Sequence, residues 1–290
     1  MSNRETKNVI HSVHQRILNK SRETSRPFNE LLQYYTLERF LYRLSESEYG
    51  DMFILKGALL LTVWGIPESR PTKDIDLLGT TDNTIENIIR IVKKICTTMV
   101  VNDGLSFNET SAVGELIAED AEYEGVRVHI KGNLGSIRVS LNVDIGFGDV
   151  IFPKAEVLHY SSMLGFPEPE FRGYSKESVI SEKFEAMVKL GVLNSRMKDF
   201  YDIWVLSRQF DFDYYILAES ISRTFTNRNT DIPLEIESII QVIGSEPLKK
   251  KQWVGFLQKN RLDNAPKEFI NVLNDIKVFL SRPLEIINKK

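Results

Sequence analysis

From Leu105 to Ile151 the chain alternates apolar and polar residues in short runs, and that period of two restricts the stretch to β-sheet. Val126-Arg-Val-His-Ile and Ile137-Arg-Val-Ser-Leu-Asn-Val are the clearest runs, and glycines separate them as turns require. Elsewhere the period lengthens. Val9, Ile10, Val13, Ile17 and Leu18 recur at helical spacing, as do Leu31, Leu32, Tyr35 and the Phe40, Leu41, Leu44 set. Polar Ser21 to Pro27 reads as the turn between these two helices. Thr84 to Ile95, Ser175 to Leu190, Met197 to Phe210 and Tyr214 to Thr224 read as further helices. Met52 to Leu55 and Asp74 to Leu78 are short apolar strands, with Pro67 and Pro71 punctuating the loop between them. After Pro153 no further strand is expected. The pattern implies an α+β chain: N-terminal helices and an α/β domain over 1–165, then a helical domain over 166–290.

Composition narrows the function classes. With 290 residues, 42% of them hydrophobic, the chain can bury a substantial core. A formal net charge of −3 gives no global attraction to nucleic acid or membrane, so any basic binding surface must be local. The single cysteine, Cys96, excludes an intrachain disulfide and fits a reducing compartment. Met1-Ser-Asn-Arg-Glu-Thr-Lys lacks the apolar core of a signal peptide. No apolar run approaches the roughly 18–20 residues that span a bilayer, and the longest, Ile54 to Gly65, is broken by Lys56 and Gly57. A cytoplasmic protein with no membrane partner is expected.

The strongest chemical signal is Arg70-Pro-Thr-Lys-Asp74-Ile-Asp76-Leu-Leu. On a strand, residues i and i+2 share a face, so Asp74 and Asp76 project side by side. Two carboxylates so placed repel unless a cation lies between them, and a divalent metal with oxygen ligands meets that need. A solvated strand end would also accommodate them, so the pair gains weight from two other segments. Phe53-Ile-Leu-Lys56-Gly57-Ala58-Leu runs from a strand through glycine into an apolar helix, a turn that turns backbone N–H groups toward phosphate. Val139-Ser-Leu-Asn-Val-Asp144-Ile-Gly-Phe-Gly embeds a third acid in an apolar strand, where it can complete a metal site or take a proton.

A second signal is a lysine inside an apolar stripe. On a helix capped by Ser175, Lys183 lies among Val179, Ile180, Ala186, Met187 and Leu190. A lysine there needs an anion or must snorkel. The next helix offers Asp199 and Asp202, so an interhelical ion pair and a phosphate-binding lysine are both open readings. Farther on, Lys249-Lys-Lys-Gln-Trp253, with Lys259 and Arg261, is a basic aromatic stretch that a phosphate backbone could meet, although a solvated helix face also accounts for it.

Taken together, F-I-L-K-G-A-L-L-L, R-P-T-K-D-I-D-L-L-G, V-D-I-G-F-G-D, S-E-K-F-E-A and R-M-K-D-F-Y-D-I-W resemble the AbiEii/AbiGii-type nucleotidyltransferase toxins of abortive-infection and toxin–antitoxin systems. The likeness extends upstream to L-L-Q-Y-Y-T-L-E-R-F-L-Y-R-L-S and downstream to T-F-T-N-R-N-T. It implies a polymerase-β-like nucleotidyltransferase domain with a mixed sheet. It also implies Asp74, Asp76 and Asp144 as Mg²⁺ ligands, Lys183 as the family's lysine, and Asp199 or Asp202 as its later acid. Nucleotide-binding positions carried over with it are Lys56, Gly57, Ala58, Arg70, Thr72, Lys183 and Arg196. Many nucleotidyltransferases have Gly-Ser where this chain has Gly57-Ala58, so a hydroxyl contact to phosphate is missing while the backbone contribution survives. The implied reaction moves a nucleoside monophosphate from an NTP to an acceptor hydroxyl, with the 3′ end of tRNA as acceptor and an antitoxin as partner. A small-molecule nucleotidyltransferase, a D-x-D glycosyltransferase and a non-catalytic nucleotide- or RNA-binding module are the alternatives.

Overall fold

A computed structural model describes residues 3–66, 70–120 and 123–289. Pro67 of the expected loop lies outside them. The chain forms two compact units: the first comprises Met1–Trp64, Thr72–Gly148 and Val157–Gly173, the second Gly65–Pro71, Asp149–Glu156 and Tyr174–Lys290.

In the first unit, α1 (Asn3–Thr24) and α2 (Phe28–Ser45) precede β1 (Phe53–Lys56), the short α3 (Leu59–Val63), β2 (Asp74–Gly79) and α4 (Ile85–Cys96). The alternating stretch then forms β3 (Leu105–Asp120), β4 (Tyr123–Leu134) and β5 (Ile137–Phe147). Two more strands follow, β6 (Glu156–His159) and β7 (Glu170–Gly173), against the expectation that strands end at Pro153. Each is four residues long, too short for a period of two to be legible. β7 is recruited by pairing in parallel with β1, Ile54 opposite Arg172.

The seven strands run in the order β3-β4-β5-β2-β1-β7-β6. The sheet is mixed: β3, β4 and β5 form an antiparallel meander, β5 pairs in parallel with β2, and β2 is antiparallel to β1. One apolar cluster seats the N-terminal helices on this unit. Val13, Ile17, Leu31, Leu32 and Tyr35 pack with Leu105, Leu134, Val139 and Leu164. A buried bidentate pair, Arg43 to Asp103 at 2.7 and 3.0 Å, fixes α2 against the residues that lead into β3. Of the helical stripe expected in α4, Ile88, Val92 and Ile95 are buried and Ile85 and Ile89 half-buried, while Ile91 is buried beside them.

The second unit is built from α5 (Lys176–Leu190), α6 (Met197–Gln209), α7 (Tyr214–Asn227), α8 (Glu237–Ser245), α9 (Pro247–Asn260) and α10 (Phe269–Asn288). Ser175 caps α5 as expected, its hydroxyl accepting from the Ser178 N–H. Phe184 of α5 meets Phe225 of α7, and Trp204 of α6 donates its indole N–H to Asp275 of α10. Trp253 of α9 is fully buried against Tyr201, Phe256 and Phe269. Among the described residues no helix is long and apolar enough to cross a membrane.

Candidate active site

In the first unit, strand register assembles most of the predicted residues on one face. Lys56 of β1 lies opposite Asp76 of β2, Asp76 opposite Asp144 of β5, and Asp144 opposite Arg127 of β4. Side chains directly opposite one another share a face, so these four form a row of charges reading plus, minus, minus, plus. A second row lies two residues away, joining Asp74 of β2, Asn142 of β5 and His129 of β4. Burial follows the alternation: Ile75 and Leu77 are inside while Asp74 and Asp76 are half-buried.

The rows are wired by hydrogen bonds. Arg127 donates to both oxygens of Asp144, at 2.7 and 2.5 Å. Asn142 donates from Nδ2 to Asp74 Oδ1 at 2.8 Å. With its Nδ2 so used, the amide presents Oδ1 to His129 Nδ1 at 2.8 Å, so that ring nitrogen carries a proton. His129 Nε2 is 3.1 Å from Glu115 Oε1, which also calls for a proton. The hydrogen bonds to Glu115 and Asn142 raise the imidazole pKa in the same sense. Thr72 anchors the entry to β2 through its hydroxyl, which meets the Asp74 carbonyl at 3.2 Å. Arg127, Asn142 and His129 were not singled out from the sequence. Their signal is visible only once register is known, because each is an ordinary polar residue on an alternating strand.

Gly57 closes this face. Its φ of +75° lies in the left-handed region, and a Cβ there would stand 2.0 Å from Asp76 Oδ2. Glycine is therefore what lets the Asp76 carboxylate lie directly against the β1–α3 turn. Ala58 is buried and leads into α3, whose Leu61 N–H bonds back to the Ala58 carbonyl.

Two hard carboxylates held side by side, with backbone pressed against one of them, suit a divalent cation that also takes phosphate oxygens. Asp144 is engaged by Arg127, and among the described residues no group of three or more His, Cys, Asp or Glu forms a ready-made cage. A cation at Asp144 would therefore compete with Arg127. Replacing Arg127 by glutamine should tighten Mn²⁺ binding about tenfold, since an uncompensated third carboxylate adds attraction at short range. Electron paramagnetic resonance of free Mn²⁺ measures this, and unchanged or weaker binding would remove Asp144 from the ligand set.

The second unit carries its own cluster of predicted residues. Arg70 donates from Nε and Nη2 to the two oxygens of Asp202, both at 2.9 Å. Lys183 of α5 lies 2.8 Å from Asp202 and 3.1 Å from Asp199, and Arg196 lies 2.9 Å from Asp199. Both acids are fully buried. Asp199 and Asp202 thus share three cations between two carboxylates. Burial alone would push the Asp202 carboxyl up, but Arg70 and Lys183 override it and hold it at about 2. Burial would likewise lower the Lys183 pKa, yet the two aspartates outweigh it and the net shift is upward.

The basic aromatic stretch reads differently from its sequence. Lys249 is buried and donates to the Asn194 carbonyl at 2.7 Å, and the Trp253 indole donates to Pro266. Those two residues are internal supports, and packing in α9 rather than charge explains them. A third cluster escaped the sequence reading: Arg228 pairs with Asp149, Glu182 and Glu185 at 2.7, 3.4 and 3.0 Å. All four residues lie in segments that carry the resemblance, V-D-I-G-F-G-D, S-E-K-F-E-A and T-F-T-N-R-N-T, but none was singled out, because only the fold brings them together.

A family comparison points the same way as the geometry. A family model described as Nucleotidyl transferase AbiEii toxin, Type IV TA system, matches residues 39–275. Among solved structures, a candidate nucleotidyltransferase from H. pylori aligns over 91% of this chain and 97% of its own, at 12% identity and a TM-score of 0.48. JHP933 from Helicobacter pylori aligns over 87% of this chain and 90% of its own, at 14% identity and a TM-score of 0.45. No curated protein matches the chain.

Proposed function

The chain belongs to the AbiEii nucleotidyltransferase toxin family, and on that premise we propose that it transfers a nucleoside monophosphate from an Mg²⁺-bound NTP to the 3′ end of a tRNA. The observation that carries this reading is the face on which Asp74, Asp76 and Asp144 converge beside Gly57. Asp74 and Asp76 would hold the cation, which when bound supplies charge neutralisation at the phosphates. Asn142 fixes the orientation of Asp74, and the close turn at Gly57 fixes that of Asp76.

In the transfer itself, an acceptor hydroxyl attacks the α-phosphorus, a new O–P bond forms, and the bridging oxygen leaves with pyrophosphate. Asp144 takes the hydroxyl proton once its carboxylate is released from Arg127, whose guanidinium is then free to face developing negative charge. The resemblance implies Lys183 as a nucleotide-binding residue, and within its own unit Arg70 and Arg196 beside the same buried acids give that cluster a net positive charge. The antitoxin that the family implies would be its regulatory partner in the cytoplasm.

The test is incubation with each α-³²P-labelled NTP, Mg²⁺ and total tRNA, beside an Asp74→Ala/Asp76→Ala control. Label on tRNA that disappears in the control is the expected result. Equal labelling by the control would sink the role of the carboxylates. Label on a different acceptor would keep the transfer and overturn the choice of tRNA.

A further inference from the structure

A cleft of about 410 Å³ lies wholly within the second unit, between the start of α6 and the outer part of α9. Arg70, Arg196, Lys198 and Lys259 line it, with Phe256 and Gly255 on the α9 wall. None of its lining residues is acidic. The nearby charges do not cancel: Arg70, Lys183 and Arg196 share Asp199 and Asp202, which leaves one positive charge in excess before Lys198 and Lys259 are added. A site with surplus positive charge and no acid in its wall is suited to phosphate.

The α9 wall adds two features. Phe256 is half-buried and braced on Trp253 at 5.6 Å between ring centroids, so it is a fixed aromatic surface. Gly255 sits inside α9, where glycine is less favourable than alanine. Among the described residues, its own helix backbone aside, nothing stands within 4 Å of where its Cβ would be, so the α9 backbone is open there to close approach by a ligand.

We infer that this cleft holds one nucleotide unit of the acceptor strand, its phosphodiester against Lys198 and Lys259 and its base against Phe256. The volume suits a nucleotide, being at the lower end of the roughly 300–1,000 Å³ of ligand pockets. Aromatic stacking beside cations is the usual way a single strand is gripped. The inference rests on the reading of the acceptor as RNA, and adds where that strand is held.

The experiment measures binding of a fluorescein-labelled single-stranded RNA octamer to the full chain by anisotropy, without NTP and across a salt series. Lys198→Gln/Lys259→Gln should weaken binding about tenfold or more and flatten the log–log salt slope by about 0.7, the value for one lost phosphate contact on a single strand. Gly255→Leu, which fills the cleft while keeping a good helix former, should weaken binding without lowering Tm. Calorimetry with each NTP on the same variants separates the two sources of a nucleotide. Loss of NTP binding with RNA binding intact would overturn the inference in favour of the free nucleotide. RNA binding equal in all proteins, or absent in the parent chain, would also overturn it, and Asp76-dependent NTP turnover would then show the transfer reading still standing. Variant-sensitive RNA binding in a chain that turns over no NTP would uphold the cleft and sink the transfer reading.

Discussion

Replacing Gly57 by alanine should lower nucleotidyl transfer by about 100-fold or more and cost about 1–3 kcal/mol of stability. Two separate effects contribute. The backbone at φ +75° is a conformation that alanine adopts at a penalty of roughly 1–2 kcal/mol. The added Cβ would also stand 2.0 Å from Asp76 Oδ2, 2.6 Å from its Cγ and 2.8 Å from its Cβ. No rotation of the carboxylate alone clears all three atoms, so the Asp76 side chain or the β1–α3 turn has to move. A displacement near 1 Å in a group proposed to hold the cation is enough to cost about two orders of magnitude in rate. A double-mutant cycle separates the two effects. In an Asp76→Gly background the steric part vanishes, so the alanine at position 57 should cost only its backbone penalty. Equal stability losses in both backgrounds, by chemical denaturation, would mean that Asp76 does not press on Gly57. The transfer assay on the single variant completes the test, with near-parent activity the outcome that removes the turn from the site.

How much of this was legible beforehand depends on the range over which each feature is encoded. Asp74 and Asp76 needed only a strand and a period of two, and both are properties of six consecutive residues. The helical stripes of α4 and α5 were equally local. Lys183 could be flagged because an ammonium among Val179, Ile180 and Met187 conflicts with its surroundings, although only the fold supplies both of its acids. By contrast, Arg127 and Asn142 look unexceptional along β4 and β5. They acquire meaning from register, which places Arg127 opposite Asp144 and Asn142 opposite Asp74. β7 was invisible for a related reason: four residues become a strand because β1 offers them an edge. In Lys249 and Trp253, sequence suggested a surface that packing has turned inward.

The second large effect is expected at Lys183, where methionine should destabilise the chain by about 3–5 kcal/mol at neutral pH. Methionine nearly matches the lysine in volume, so little of that loss comes from a cavity. It comes from Asp199 and Asp202, both with side chains about 1% exposed, each losing one of its two cations. Arg70 still serves Asp202 and Arg196 still serves Asp199, which sets the cost below that of a wholly unpaired buried pair. The pH dependence distinguishes this cause from simple repacking. Asp202 has its folded pKa depressed from 3.8 to about 2, so its stabilising contribution is present above about 3.8 and is lost as pH falls through about 2. Without Lys183 that depression shrinks, because Arg70 alone remains to oppose burial. The stability difference between the parent chain and Lys183→Met should therefore be largest at neutral pH and narrow progressively from about pH 4 to about pH 2. Denaturant melts across that range measure it directly. A constant difference at every pH would mean that the lysine contributes through packing and that its charge is not what the two aspartates require.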